Sequence, residues 1–140
     1  MVHAQLDDWM FRPLRASRQP AQALLDLIEA KAKADDPAMV HLGCPLNNLT
    51  QEMSHLDADF RAALSGIMRE WQDAVKDVLQ RAQGAGEVRA EVDCHAAALF
   101  IVSAWEGCAG TAKNAQSTQV FCACMTQLRA YVASLLCKAI

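Results

Sequence analysis

DADFRAALSGIMREWQDAVKDVLQRAQGAG, residues 57–86, decides the fold class. Within it Phe60, Leu64, Ile67, Trp71, Val75, Val78 and Ala82 recur at steps of four, three, four, four, three and four. An α-helix turns once in about 3.6 residues, so these side chains form one apolar stripe about six turns long. Asp57 or Asp59 supplies a carboxylate to accept the free N–H groups at the start. Gly84-Ala85-Gly86 ends the stripe with the residue type that helix C-termini favour.

Downstream, Asp93 caps a second long helix, running from about Cys94 to Lys113. Ala96 to Ala98, Leu99, Phe100, Ile101, Val102, Ala104, Trp105 and Cys108 leave it almost no polar face, which requires burial on more than one side. Small residues at Ala97, Ala104, Gly107, Cys108 and Gly110 allow another helix close approach. After a polar break at Asn114 to Ser117, a last helix carries Phe121, Cys124, Leu128, Tyr131 and Leu135, with Val120, Val132 and Leu136 widening the stripe. The two helices together hold more apolar surface than one small bundle hides. A symmetric dimer through a four-helix bundle accounts for the excess, with Ala97, Ile101, Ala104, Cys108, Phe121, Cys124, Leu128, Tyr131 and Leu135 as its candidate interface.

Upstream the pattern is shorter and more broken. Val2 to Ser17 reads as one helix with Leu6, Trp9, Met10 and Leu14 on one side, and Pro13 predicts a kink or restart. Pro20 opens a helix carrying Leu24, Leu27, Ile28 and Lys31, which Asp35-Asp36-Pro37 closes. Met39 to Leu46 is irregular, and Asn47 or Asn48 offers a cap for a short helix with Leu49, Met53 and Leu56. The prediction is a single all-α domain over 1–140, a bundle of about six helices.

Composition agrees. Of 140 residues 53% are apolar and 21% charged, which excludes a disordered chain. At this length one core buries roughly two thirds of the unfolded surface. The net charge of -3 and the lack of a basic cluster, beyond Arg12, Arg15 and Arg18, argue against phosphate-backbone binding by these residues. The six cysteines fall mostly in apolar helical patterns, where free thiols act as small hydrophobes. No basic-apolar leader or membrane-length apolar run is present, so a soluble, cytoplasmic protein with reduced thiols is expected.

Three passages, in order, carry a family resemblance. Gly43-Cys44-Pro45-Leu46-Asn47-Asn48-Leu49-Thr50-Gln51-Glu52, followed by Phe60-Arg61, is similar to the Gly-Cys-x-x-x-x-Leu-x-x-Glu stretch that opens the sixth helix in one TetR subgroup. Ala85-Gly86-Glu87-Val88-Arg89-Ala90-Glu91-Val92-Asp93, leading into Ile101 to Gly107, resembles the turn before the eighth helix. Gln127-Leu128-Arg129-Ala130-Tyr131-Val132 resembles the last helix. The resemblance implies the C-terminal domain of a TetR-family repressor. Such domains dimerise through the last two helices and enclose a small-molecule effector pocket whose occupancy releases operator DNA from an N-terminal helix-turn-helix. Residues 1–18 resemble the connector to that DNA-binding half, with Met1 near its start. The half itself is expected to be absent, leaving operator DNA as a partner only through the missing part.

A pocket of this kind is apolar with a few orienting polar groups. Trp9, Met10, Leu46, Leu49, Met68, Trp71 and Trp105 are the candidate lining, with Leu24, Ile28 and Met53 as further apolar candidates. Each also reads as ordinary core. Asn48 and Glu52, four apart on one helical face, and Glu106 beside Trp105 interrupt apolar surroundings; a buried carboxylate needs a partner or a ligand. Glu52 reads equally as a solvent-facing residue.

No metal or cofactor is expected. Glu52-Met53-Ser54-His55 is a single Glu-x-x-His where a di-iron site needs two, and Cys122 and Cys124 point about 200° apart on a helix. There is no nucleophile elbow or phosphate loop, so no enzyme is expected. Cys44, in the irregular segment, is the best candidate for a redox-active thiol. The sequence therefore points to a homodimeric sensor of a lipophilic or aromatic small molecule, with a pocketless helical interaction protein as the alternative.

Overall fold

The computed structural model describes residues 2–34 and 36–138, and the only strand-type pairing among them is a single bridge between Val88 and Leu136. Met1 and Asp35 lie outside the described residues. The chain is all-α, as the periodicity required.

A helical rod opens the chain: α1 (Val2–Leu6), a wide π turn (Asp7–Phe11) and α2 (Arg12–Ala16). The backbone stays helical through both junctions, and the Arg12 N–H donates to the Asp7 carbonyl five residues back. The expected break at Pro13 is thus a widening one turn earlier. Pro13 sits in the first turn of α2, where its missing N–H is tolerated. α3 (Pro20–Ala32) also begins at a proline.

The segment read as irregular instead forms α4 (Pro37–Leu42), capped by the Asp36 carboxylate, which accepts from the Ala38 N–H at 3.0 Å. Gly43, at φ 72° and ψ -168°, ends it. α5 (Pro45–Met53) starts at Pro45 with Cys44 as the extended cap, so neither Asn47 nor Asn48 is the N-cap. Proline's fixed φ sets the first helical position ahead of any asparagine. Leu56 lies beyond α5 and is 68% exposed.

α6 (Ala58–Gly84) follows the stripe: Leu64, Trp71, Val75, Val78 and Ala82 are buried, whereas Phe60, in its first turn, is exposed. Asp57 caps it through the N–H groups of Asp59 and Phe60. α7 (Cys94–Ala115) is capped by Asp93 and α8 (Thr118–Ser134) by Ser117. Between α6 and α7, the Gln83 amide donates to the carbonyls of Arg89, Ala90 and Val92, which holds the connector in place.

α7 packs between α6 and α8, and α3 bridges α6 and α8. The rod lies along α6, where Arg81 of α6 donates to the carbonyls of Leu14 (2.6 Å) and Ser17 (2.7 Å). Those carbonyls lie at the rod's C-terminal end and lack intrahelical donors, so the guanidinium supplies what the helix cannot. α4 leans on α7 and α8 and closes one side of the bundle over a space that the larger helices leave unfilled.

Candidate effector cavity and helical-hairpin face

That space is a cavity of about 390 Å³. The rod contributes Leu6 and Trp9, α3 contributes Lys31, and α7 contributes Trp105, Ala109 and Ala112. Val40 and Leu42 of α4, the Gly43–Cys44 corner, Leu46 of α5 and Phe121 of α8 complete the wall. Bulky groups frame this space, while Ala109 and Ala112 leave its α7 side open. The volume lies in the range of small-molecule sites, and the lining is mostly apolar with few polar groups.

Three indole and ammonium contacts organise one end. Trp105 meets Trp71 edge to face, and the Trp9 ring lies 6.3 Å from that of Trp105 at 43°. The Lys31 ammonium sits over the Trp9 face, 4.1 Å from its centroid. Burial pushes the Lys31 pKa below its ordinary value, which the nearby Cys44 partly offsets. A cation on an indole face in a partly dry site gains about 1–2 kcal/mol from the ring quadrupole.

Glu106 is the buried charged residue of the described core, at 6% exposure. Neither carboxylate oxygen meets a donor at ordinary hydrogen-bond geometry, and the Cys44 thiol is the polar group beside it. Burial raises its pKa to about 7, against the Cys44 contact, which lowers it. Burial first, and Glu106 second, push the Cys44 thiol up to about 11. A thiol so held is protonated at neutral pH, which weighs against Cys44 as the candidate redox-active thiol.

The expected pocket residues separate into distinct places. Trp9, Leu46 and Trp105 line the cavity. Met10, Trp71, Leu24 and Ile28 are buried in the core and do not line it; Leu49 and Met68 pack half-buried on the core. Asn48 donates to the Leu42 carbonyl at 2.7 Å and accepts from Lys113 at 3.2 Å, which fixes the α4–α5 corner. Glu52 is exposed on α5. Sequence reasoning missed Lys31, counted only as a helical position, and the α4 wall, where no periodicity marks a lining.

The outer face of the α7–α8 hairpin carries an open apolar groove formed by Phe100, Ala104, Cys108, Ala123, Cys124, Gln127, Leu128 and Tyr131. Phe100 and Tyr131 stack edge to face at 4.8 Å, yet Phe100 stays 53% exposed and Leu99 46%. Among the expected interface residues, Ala104, Cys108, Cys124, Leu128 and Tyr131 line this groove. Ala97, Ile101 and Leu135 are buried within the chain, and Phe121 faces the cavity.

A helical bundle with an internal cavity and an apolar hairpin face is a class with known members. The chain belongs to the tetracyclin repressor-like C-terminal domain family, whose model matches residues 20–136. It is 43% identical over 65 residues to the transcriptional regulator AcuR of Cereibacter sphaeroides, a match covering 46% of this chain and 30% of that regulator. The matched stretch thus spans less than a third of that relative's length. A TetR transcriptional regulator from Chloroflexus aurantiacus has the same fold, with a TM-score of 0.79 at 22% identity over 96% of this chain and 68% of that one. The regulatory protein TetR from Rhodobacter sphaeroides gives a TM-score of 0.75 at 25% identity, over 93% of this chain and 69% of that one. Among the described residues no helix is long and apolar enough to cross a membrane.

Proposed function

We propose that this domain senses a small lipophilic or aromatic molecule in the cavity between the rod and α7, and pairs with a second copy through the α7–α8 hairpin. The cavity carries the reading. Its apolar wall joins the rod, α3, α4, α5, α7 and α8, so an occupant touches most elements of the domain at once. A ligand can bias a conformation only through contacts that differ between states, and a site at this junction is positioned to make them. The cavity also favours sensing over the alternative of an interaction protein without a pocket.

The exposed Phe100 and Leu99, with the groove beside them, support the homodimer. Family membership supports transcriptional repression as the role of the regulators to which such domains belong, with operator DNA as their partner. A thermal-shift screen with lipophilic and aromatic compounds tests the sensing function. Ligands that bind only the folded state raise the melting temperature, and a panel without any such rise overturns the reading. Light scattering tests the assembly: a monomer at micromolar concentration removes the dimer.

A further inference from the structure

Resting on the sensing reading, we infer that the cavity takes a small amphipathic carboxylate, its charged end at the Lys31 ammonium and its apolar body against Trp105, Leu46 and Phe121. Lys31 is the cationic group of the cavity wall, half-buried and stacked on Trp9. Among the described residues it forms no ion pair; the neighbouring Lys33, not Lys31, takes Glu29. Removing an ammonium from water is unfavourable unless a partner compensates, and the indole face compensates only in part. An anion brought in by a ligand completes the compensation.

The other charged group of the cavity wall is Asp36, and Glu106 lies close by, beside Cys44. Asp36 is exposed, and its carboxylate is engaged at the start of α4, with the Ala38 N–H. Glu106 lies behind Cys44 in a setting that favours its neutral form near pH 7 and below. A cationic ligand would meet Lys31 already on the indole face of Trp9 and be repelled. A neutral one would leave the ammonium as it is. Apart from Gln5, Asp36 and Cys44, the rest of the wall is apolar and fits a hydrocarbon or aromatic body.

Hexanoate, hexanamide and hexylamine share a chain and differ in charge, so their affinities, measured by saturation-transfer NMR and calorimetry, test the inference. Hexanoate is expected to bind at least about tenfold more tightly than the other two, the scale of a charge-assisted contact. Lys31→Met should abolish that preference, and Lys31→Arg, which keeps the cation, should retain it. Equal binding of hexanamide or hexylamine, or an unchanged preference in Lys31→Met, overturns the carboxylate inference while leaving the cavity a ligand site. No binding by any of the three overturns it as well, and the wider lipophilic panel then decides separately whether the cavity senses anything.

Discussion

The indole rings of Trp71 and Trp105 meet edge to face, with centroids 5.6 Å apart and planes at 79°. Trp105 faces the cavity while Trp71 is buried in the core, so one aromatic contact joins the α6 core to the cavity wall. Trp71→Ala removes that support and leaves a void; the expected cost is about 3–5 kcal/mol, read from urea unfolding. A loss below about 1 kcal/mol would show that the wall stands without it.

Glu106 gives the fold a pH dependence with a definite sign. Its pKa is about 7 in the folded chain, against an ordinary value of 4.5, because burial penalises the charge. Between these values the folded state keeps a proton that the unfolded state has released. Stability therefore falls as pH rises through this window and levels off above about pH 7, by roughly 3 kcal/mol in all. Glu106→Gln should match the wild type near pH 4, below the window, and exceed it at pH 8 in denaturant titrations. Parallel curves for the two proteins would contradict this account.

Gly43 lines the cavity in a backbone conformation that side chains rarely adopt, φ 72° and ψ -168°. A Cβ there would also come within 2.9 Å of the Lys113 side chain, which holds Asn48. Gly43→Ala is expected to cost about 1–3 kcal/mol and to loosen the α4–α5 corner, visible as faster amide exchange in Val40 to Leu46. Unchanged exchange would mean that the corner does not depend on this glycine.

The cysteines should divide by exposure. Cys122 and Cys137 are exposed, whereas Cys44, Cys94, Cys108 and Cys124 are partly or fully buried. Burial, with the neighbouring Cys124 as a second cause, pushes Cys108 up to about 12. Timed alkylation of the native protein followed by mass mapping should label Cys122 and Cys137 first. Early labelling of Cys44 would restore its candidacy as a sensor thiol.

Phe100 offers a test of the hairpin face that spares the fold. It is 53% exposed, so Phe100→Asp should leave the melting transition nearly unchanged in a monomer. In the proposed dimer the buried charge should shift the assembly to monomer by light scattering, and a persistent dimer would place the interface elsewhere.

The long helices were legible because their periodicity runs over many turns and their caps, Asp57 and Asp93, stand at the expected positions. The short ones were not. α4 has six residues, too few to show a stripe, and its stability comes from the Asp36 cap and packing on α7. Glu106 was legible as a carboxylate in an apolar helix, and Trp9, Leu46 and Trp105 as large apolar groups. Lys31 was not, because a lysine on an amphipathic helix ordinarily faces solvent. Only the folded arrangement of α3, the rod and α4 turns it inward. Asn48 and Glu52 share a helical face, yet one anchors a corner and the other faces solvent.

The wide turn at Asp7–Phe11 makes the rod two helices of different phase joined without a loop. The downstream piece is fastened to α6 by Arg81, and the cavity touches the rod at Leu6 and Trp9, at and within the wide turn. Narrowing that turn to ordinary α geometry rotates Val2–Leu6 against Arg12–Ala16 by about a quarter revolution without breaking the rod. Both halves of the rod are held to α6, the downstream one through Arg81 and the upstream one through the His3 ring beside the Glu70 carboxylate, so a change of phase at this turn would be felt at two anchors on one helix.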